Sequence, residues 1–161
     1  MSEHVLTIIG CGNPNRCDDG VGVYVAQQLL ERQRSRPSRN IQIFDAGTDG
    51  MGVMFQARGS SALVIVDASK SGSEPGAIFE VPGDELESEP PASFNLHDFR
   101  WDHALHAGRQ IFKNEFPSDV TVYLIEGHST ELGLGLSEPV ADAAVRVIEM
   151  IEQRIARHEP K

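Results

Sequence analysis

The run Val5-Leu6-Thr7-Ile8-Ile9-Gly10-Cys11-Gly12-Asn13-Pro14-Asn15-Arg16-Cys17-Asp18-Asp19-Gly20-Val21 decides how the chain reads. Val5 to Ile9 is a short, nearly unbroken apolar stretch of the kind buried on both faces of a parallel sheet. From Val21 an amphipathic pattern begins. It puts Val21, Gly22, Val25, Ala26, Leu29 and Leu30 on one side of a helix and Gln27, Gln28, Glu31 and Arg32 largely opposite. Strand, glycine-rich turn and helix, in that order, place chemical groups at the edge of an α/β sheet. The turn ends in two adjacent carboxylates, Asp18 and Asp19, and so suits a cation better than a phosphate. Gly10-x-Gly12 invites a nucleotide-binding module as an alternative. Against it, the third glycine of that fingerprint would fall at Asn15, and the two aspartates would repel a pyrophosphate.

The same alternation continues outward from this stretch. Ile41 to Asp45 reads as a second strand, Ala46 to Met51 as a second glycine-bearing turn, and a short helix runs on to about Arg58, with Met51, Met54 and Phe55 assigned to the core. Ala62 to Val66 is a third strand ending on Asp67, and Gly76 to Val81 a weaker fourth. The acidic, proline-broken stretch from Pro82 to Pro91 cannot be regular structure. If the fourth strand is antiparallel, this stretch carries the chain back to begin another helix. Asn95 is the expected cap of that helix, Asp98 suits its first turn, and Trp101, Ala104, Leu105, Gly108, Ile111 and Phe112 form its apolar face. Val120 to Ile125 is the fifth strand. Ser137 is then the expected cap of a last helix, with Pro139 in its first turn and Ala141, Ala144, Val145, Ile148, Ile151 and Ile155 facing inward. Right-handed crossovers turn this order into a three-layer α/β/α sandwich around a five-stranded, mostly parallel mixed sheet, with strand four antiparallel and residues 1–161 in a single domain.

Composition narrows the function classes. In 161 residues, 40% hydrophobic, there is material for one core and no 18-residue apolar run. The N-terminus lacks the basic-then-apolar order of a signal peptide, so a cytoplasmic protein is expected. A formal net charge of -10 argues against nucleic-acid or membrane partners, which demand clustered Lys and Arg. Cys11 and Cys17 are too few for a disulfide framework and are expected to be free thiols.

Ligands of such sheets sit beyond the carboxyl ends of the parallel strands. That edge gathers the first loop, Asp45 after strand two, Asp67 after strand three and Gly127-His128 after strand five. With the Asn95 helix starting at the same edge, His97 joins Asp19 and Asp67. Two carboxylates and an imidazole suit a borderline divalent ion such as Ni²⁺ or Zn²⁺ and leave coordination positions open. Each residue also has a plain reading: Asp19 as a helix cap, Asp67 in a turn, His97 as a surface residue. His103 and His106 fall toward the solvated side of their helix, and His128 is either a peripheral ligand or an ordinary loop residue. No Gly-x-Ser-x-Gly elbow and no His-Glu-x-x-His helix is present.

Gly-Cys-Gly-Asn at 10 to 13, Asp-Asp-Gly at 18 to 20, Val-Gly-Val at 21 to 23, Asp-Ala-Gly-Thr-Asp-Gly-Met at 45 to 51, Val-Asp at 66 and 67 and His97 follow one another in a set order. In that order and spacing they resemble the nickel-iron hydrogenase maturation endopeptidases. The resemblance implies an endopeptidase that removes a C-terminal peptide from the hydrogenase large subunit after nickel insertion. It implies nickel carried by the substrate and a nickel-loaded precursor as partner. By position, it makes Asp19, Asp67 and His97 the nickel-contacting groups and Asp45 a further acidic residue beside them. Many relatives carry Glu where this chain has Asp19, one methylene shorter. Water activation would then fall to the metal as Lewis acid or to Asp45 or Asp67 as general base. A nickel-sensing maturation chaperone that cuts nothing is the non-catalytic alternative.

Overall fold

The apolar runs become strands, and their pairing sets the site. The computed structural model describes residues 4–90 and 99–159. Strands β1 (Leu6–Cys11), β2 (Ile41–Gly47), β3 (Ala62–Ser69), β4 (Ile78–Pro82) and β5 (Asp119–Glu126) form one sheet in the order β2-β1-β3-β5-β4. All pairs are parallel except β4 with β5, which is antiparallel as the sequence implies. Ile8 of β1 aligns with Ile43 of β2 and Val64 of β3, so the alternation of side chains is in step across the centre of the sheet.

Helices α1 (Val21–Ser35), α2 (Gly50–Ala57), α3 (Trp101–Phe112) and α4 (Glu138–His158) cover both faces. On one face Leu6, Ile8, Val64, Val66, Tyr123 and Ile125 pack against α1 and α4; on the other Ile9, Leu63, Ile65, Val120 and Val122 pack against α2 and α3. This is the expected three-layer sandwich. A fully buried Leu, Ile or Val contributes about 1.5–3 kcal/mol, so the two faces together supply most of the drive to fold. No helix among the described residues is long and apolar enough to cross a membrane.

Two glycines set the distance between α1 and the sheet. A Cβ on Gly22 would lie 2.3 Å from the carbonyl oxygens of both Cys11 and Val66, and one on Gly10 would lie 2.1 Å from the Gly22 oxygen. Backbone therefore packs on backbone where α1 begins, which draws the first loop down onto the ends of β1 and β3.

Several expectations need correction. α3 starts at Trp101 with Arg100 before it, not at a cap on Asn95; the cap-position amide of Arg100 donates to His103 Nδ1 at 3.1 Å. Asn95, His97 and Asp98 lie outside the described residues. Ile111 and Phe55 are exposed, not core; Phe55 meets the Phe112 ring edge-on at 5.8 Å between α2 and α3. In α4 the inward face is Val140, Ala143, Ala144, Val147, Ile148 and Ile151, while Val145 is exposed. The buried stripe steps by three and four residues from Val140, which leaves Val145 on the other side of the helix. Gly83–Glu85 forms a 3-10 turn in the stretch read as irregular.

Candidate functional site

At the carboxyl edge of the parallel strands lies a cavity of about 750 Å³. Its wall is contributed by the first loop (Gly12, Arg16, Asp19), the end of β2 and start of α2 (Thr48, Asp49), the end of β3 (Asp67 to Ser71) and the start of α3 (Arg100, Trp101). The strand order reverses direction beside β1, with β2 on one side and β3 on the other, and this is where open α/β sheets leave a crevice.

Asp67 is the most constrained acid in that wall. It points from β3 into the cavity while 94% of its surface is covered, its relative exposure being 6%. Trp101 Nε1–H donates to Oδ2 at 2.7 Å and the Ala68 amide to Oδ1 at 2.8 Å. Burial pushes its carboxyl up to about 7; the two hydrogen bonds oppose the rise and the nearby Asp19 charge adds to it. Asp67 thus changes protonation near neutrality, a property suited to proton transfer.

Gly12 lies between the backbone of Asp19 and the carboxylate of Asp67. A Cβ on Gly12, at φ +129°, would lie 2.0 Å from the Asp19 carbonyl oxygen and 3.4 Å from Asp67 Oδ1. Only glycine allows that passage of the chain between the two acids. The Asp19 side chain accepts from the Asn13 amide at 3.0 Å and closes the loop on itself. It does not cap α1, whose cap position is Gly20.

Asp45 stands apart. It is exposed at the end of β2, accepts from Gln27 Nε2 at 3.1 Å and the Gly47 amide at 3.1 Å, and is not in the cavity wall. Its neighbour Asp49 is in the wall, with Oδ1 accepting from the Gly52 amide at 2.9 Å at the start of α2. Asp19 and Asp67 are brought together as the sequence suggests; His97, the third of the set, lies outside the described residues. Among the described residues no three His, Cys, Asp or Glu side chains gather as a metal site.

The cysteines are free thiols. Cys11 lines the cavity, but burial first and Asp67 second push its thiol well above the ordinary range, so it stays protonated and is no nucleophile at neutral pH.

Sequence reasoning passed over Asp18, which it took only as one of two carboxylates that make the turn suit a cation. The residue has 0% exposure and accepts four hydrogen bonds: the amides of His128 at 2.7 Å, Ser129 at 3.0 Å and Ser137 at 2.7 Å, and the Ser137 hydroxyl at 2.9 Å. Burial opposes ionisation, yet these donors outweigh it and hold the carboxyl below its usual range. Ser137 and His128 find their roles here. Ser137 occupies the cap position of α4 but turns its hydroxyl to Asp18, and His128 is an exposed residue whose backbone, not ring, is used. Glu126 works alike, accepting from the hydroxyls of Ser69 and Ser71 and the amides of Ser71 and Gly72. Asp18 ties the loop at 128–137 to the first loop, and Glu126 ties the turn after β3 to β5. Trp101 was read as core, and nothing in its spacing signals its bond to Asp67.

A family model described as hydrogenase maturation protease matches residues 23–154. The coenzyme F420 hydrogenase subunit delta of Methanothermobacter thermautotrophicus is 29% identical over 160 residues, covering 93% of this chain and 94% of that protein. The hydrogenase 2 maturation protease of Escherichia coli is 27% identical over 141 residues, covering 87% of this chain and 83% of that one. In structure, the hydrogenase maturating endopeptidase HybD from E. coli superposes with a TM-score of 0.76 at 23% identity, covering 95% of this chain and 93% of that chain, a likeness of fold.

Proposed function

Because the chain belongs to the hydrogenase maturation protease family, we propose that it removes a C-terminal peptide from the precursor of a nickel-iron hydrogenase large subunit once nickel has been inserted. The nickel arrives as part of the substrate. Asp19, Asp67 and His97 receive it, which seats the scissile peptide in the cavity only when the precursor is loaded.

The observation that supports this reading most directly is that Asp19 and Asp67 line one cavity, the Asp19 charge being near enough to raise the Asp67 carboxyl. Two adjoining carboxylates in a partly dry wall attract a divalent ion and, alone, leave most of its coordination sphere to the partner. Nickel held there by Asp19, Asp67 and His97 would supply Lewis-acid polarisation of the scissile carbonyl. Asp67 takes a proton from the attacking water and returns it to the departing amine, so that one acid and one amine product leave. Asp45, outside the wall, adds negative charge to the same sheet edge.

The test is co-expression of the large-subunit precursor with this chain, with and without nickel, followed by intact-mass measurement of the precursor. Loss of a C-terminal peptide with nickel and none without it is expected, and Asp67→Ala abolishes the loss. Cleavage without nickel would remove the sensing role, and binding of the loaded precursor with no change in mass would leave a chaperone.

A further inference from the structure

Residues 128–137 form a loop that the proposed chemistry does not use, and it carries the two most exposed large apolar side chains among the described residues. Leu132 is 78% and Leu134 82% exposed, and the next, Ile111, is 61%. Exposed leucines at the tip of a slack loop would mean little, but this loop is fastened.

Its fastening runs to the first loop of the site. The Gly133 amide donates to the Asn15 carbonyl at 2.8 Å, and the Cys17 amide donates to the Gly133 carbonyl at 2.9 Å, so Gly133 bridges Arg16 as a single rung of sheet. The Asp18 amide donates to the Ser129 carbonyl at 2.9 Å, and the Asp18 carboxylate holds both ends of the loop, at 128–129 and at 137. Gly133, at φ +153°, packs so closely that a Cβ would lie 3.2 Å from Cys17 Sγ. The leucines on either side of Gly133 are therefore displayed by a rigid bracket. Thr130 and Arg16, the residues before and beneath them, line the cavity itself.

We propose that Leu132 and Leu134 are the docking contact for the precursor protein, an apolar foot on the rim of the cavity that grips the folded substrate while its C-terminal segment enters. This rests on the reading of the cavity as the processing site. The occupant follows from continuity: a macromolecule whose chain end reaches Asp67 has its body over this rim, because Thr130 and Arg16 belong to both the wall and the bracket. A backbone already fixed before contact loses little entropy on binding, so a small apolar pair becomes effective.

The double variant Leu132→Ser with Leu134→Ser tests it, since both side chains are exposed and the bracket uses backbone and Asp18. Binding to nickel-loaded precursor by surface plasmon resonance is expected to weaken about tenfold or more, as loss of one buried leucine contact alone implies. In processing assays KM rises by about the same factor while kcat holds within about threefold. The melting temperature stays within about 2 °C, as for exposed substitutions. A second variant, Leu132→Ala with Leu134→Ala, guards against an effect of the new hydroxyls.

Unchanged binding and KM in both variants would overturn the proposal. So would a wild-type dimer in sedimentation that turns monomeric in the variants with KM unaltered, which would give the foot to a second copy. Should the wild type bind the precursor and not cut it, the processing role fails, and the binding arm still decides the docking contact.

Discussion

Trp101 and Asp67 are joined by a buried hydrogen bond of 2.7 Å from the indole nitrogen to Oδ2, between the first turn of α3 and the end of β3. The contact gives an acid in the cavity wall a fixed direction, and it opposes the effect of burial on that acid. Replacing Trp101 by Phe keeps most of the ring volume and removes the donor. A hydrogen bond to a charged group contributes about 1.5–3 kcal/mol, so processing at neutral pH is expected to fall about tenfold or more. Without the donor Asp67 ionises at higher pH, and the rising limb of the pH–rate profile moves to the alkaline side. Initial rates of precursor cleavage between pH 6 and 9, run at fixed ionic strength, measure both.

The raised carboxyl of Asp67 also makes stability depend on pH. Its value of about 7 in the folded chain stands above an unfolded value of about 3.9. Between those two values the folded chain keeps a proton that the unfolded chain gives up. Its contribution to stability is thus full below about pH 4 and is lost as pH rises through about 7. Asp67→Asn removes this titration. The variant's melting temperature minus that of the wild type is expected to increase from acid to alkaline pH, and thermal melts at four pH values across that span check it; a difference that stays flat would contradict the assignment.

Asp18 behaves in the opposite sense. Asp18→Asn puts an NH₂ group where a carboxylate oxygen accepted, so that it faces a backbone amide donor, and the hydrogen bonds at stake place the cost at about 3 kcal/mol. For a chain of this length that is a fall of about 6–12 °C in melting temperature. Hydrogen exchange resolves where the damage lies: the amides of His128, Ser129 and Ser137 are expected to lose protection before those of β1 and β3.

How far the sequence could take a reader is clear from these same residues. Strands and helices followed from local apolar runs, and the parallel order of β1, β2, β3 and β5 brought Asp19 and Asp67 to one edge because chain direction alone decides which ends of the strands meet. Asp18 could not be read in this way. Its partners lie 110, 111 and 119 positions away and are mostly backbone amides, which any residue type supplies. The start of α3 was missed for a related reason: the Arg100 amide is received by an imidazole, whereas the polar residue of the usual kind, Asn95, stood nearby in the sequence. Trp101 carried the apolar signal of a core residue and no sign that its nitrogen had a partner.

Gly22 offers a test of the packing. With a Cβ placed 2.3 Å from two carbonyl oxygens, Gly22→Ala forces α1 away from the ends of β1 and β3. Overpacking of this kind costs about 1–3 kcal/mol. Because Asp19 hangs between that helix and the sheet, cleavage is expected to fall more than stability alone explains. Rates measured well below the melting temperature separate the two.

The 119 positions between Asp18 and Ser137 also bear on the order of synthesis. The first loop is made together with β1 and α1, but the amides that satisfy its buried carboxylate are made 110 to 119 residues later. Until then Asp18 has water for a partner, and the loop that presents Asp19 has no bracket beneath it. A nascent or truncated chain ending before Ser137 holds every residue of the cavity wall and lacks its finished shape. The first loop therefore takes its finished shape only after the start of α4 has been made, although among the described residues α4 contributes no side chain to the cavity wall.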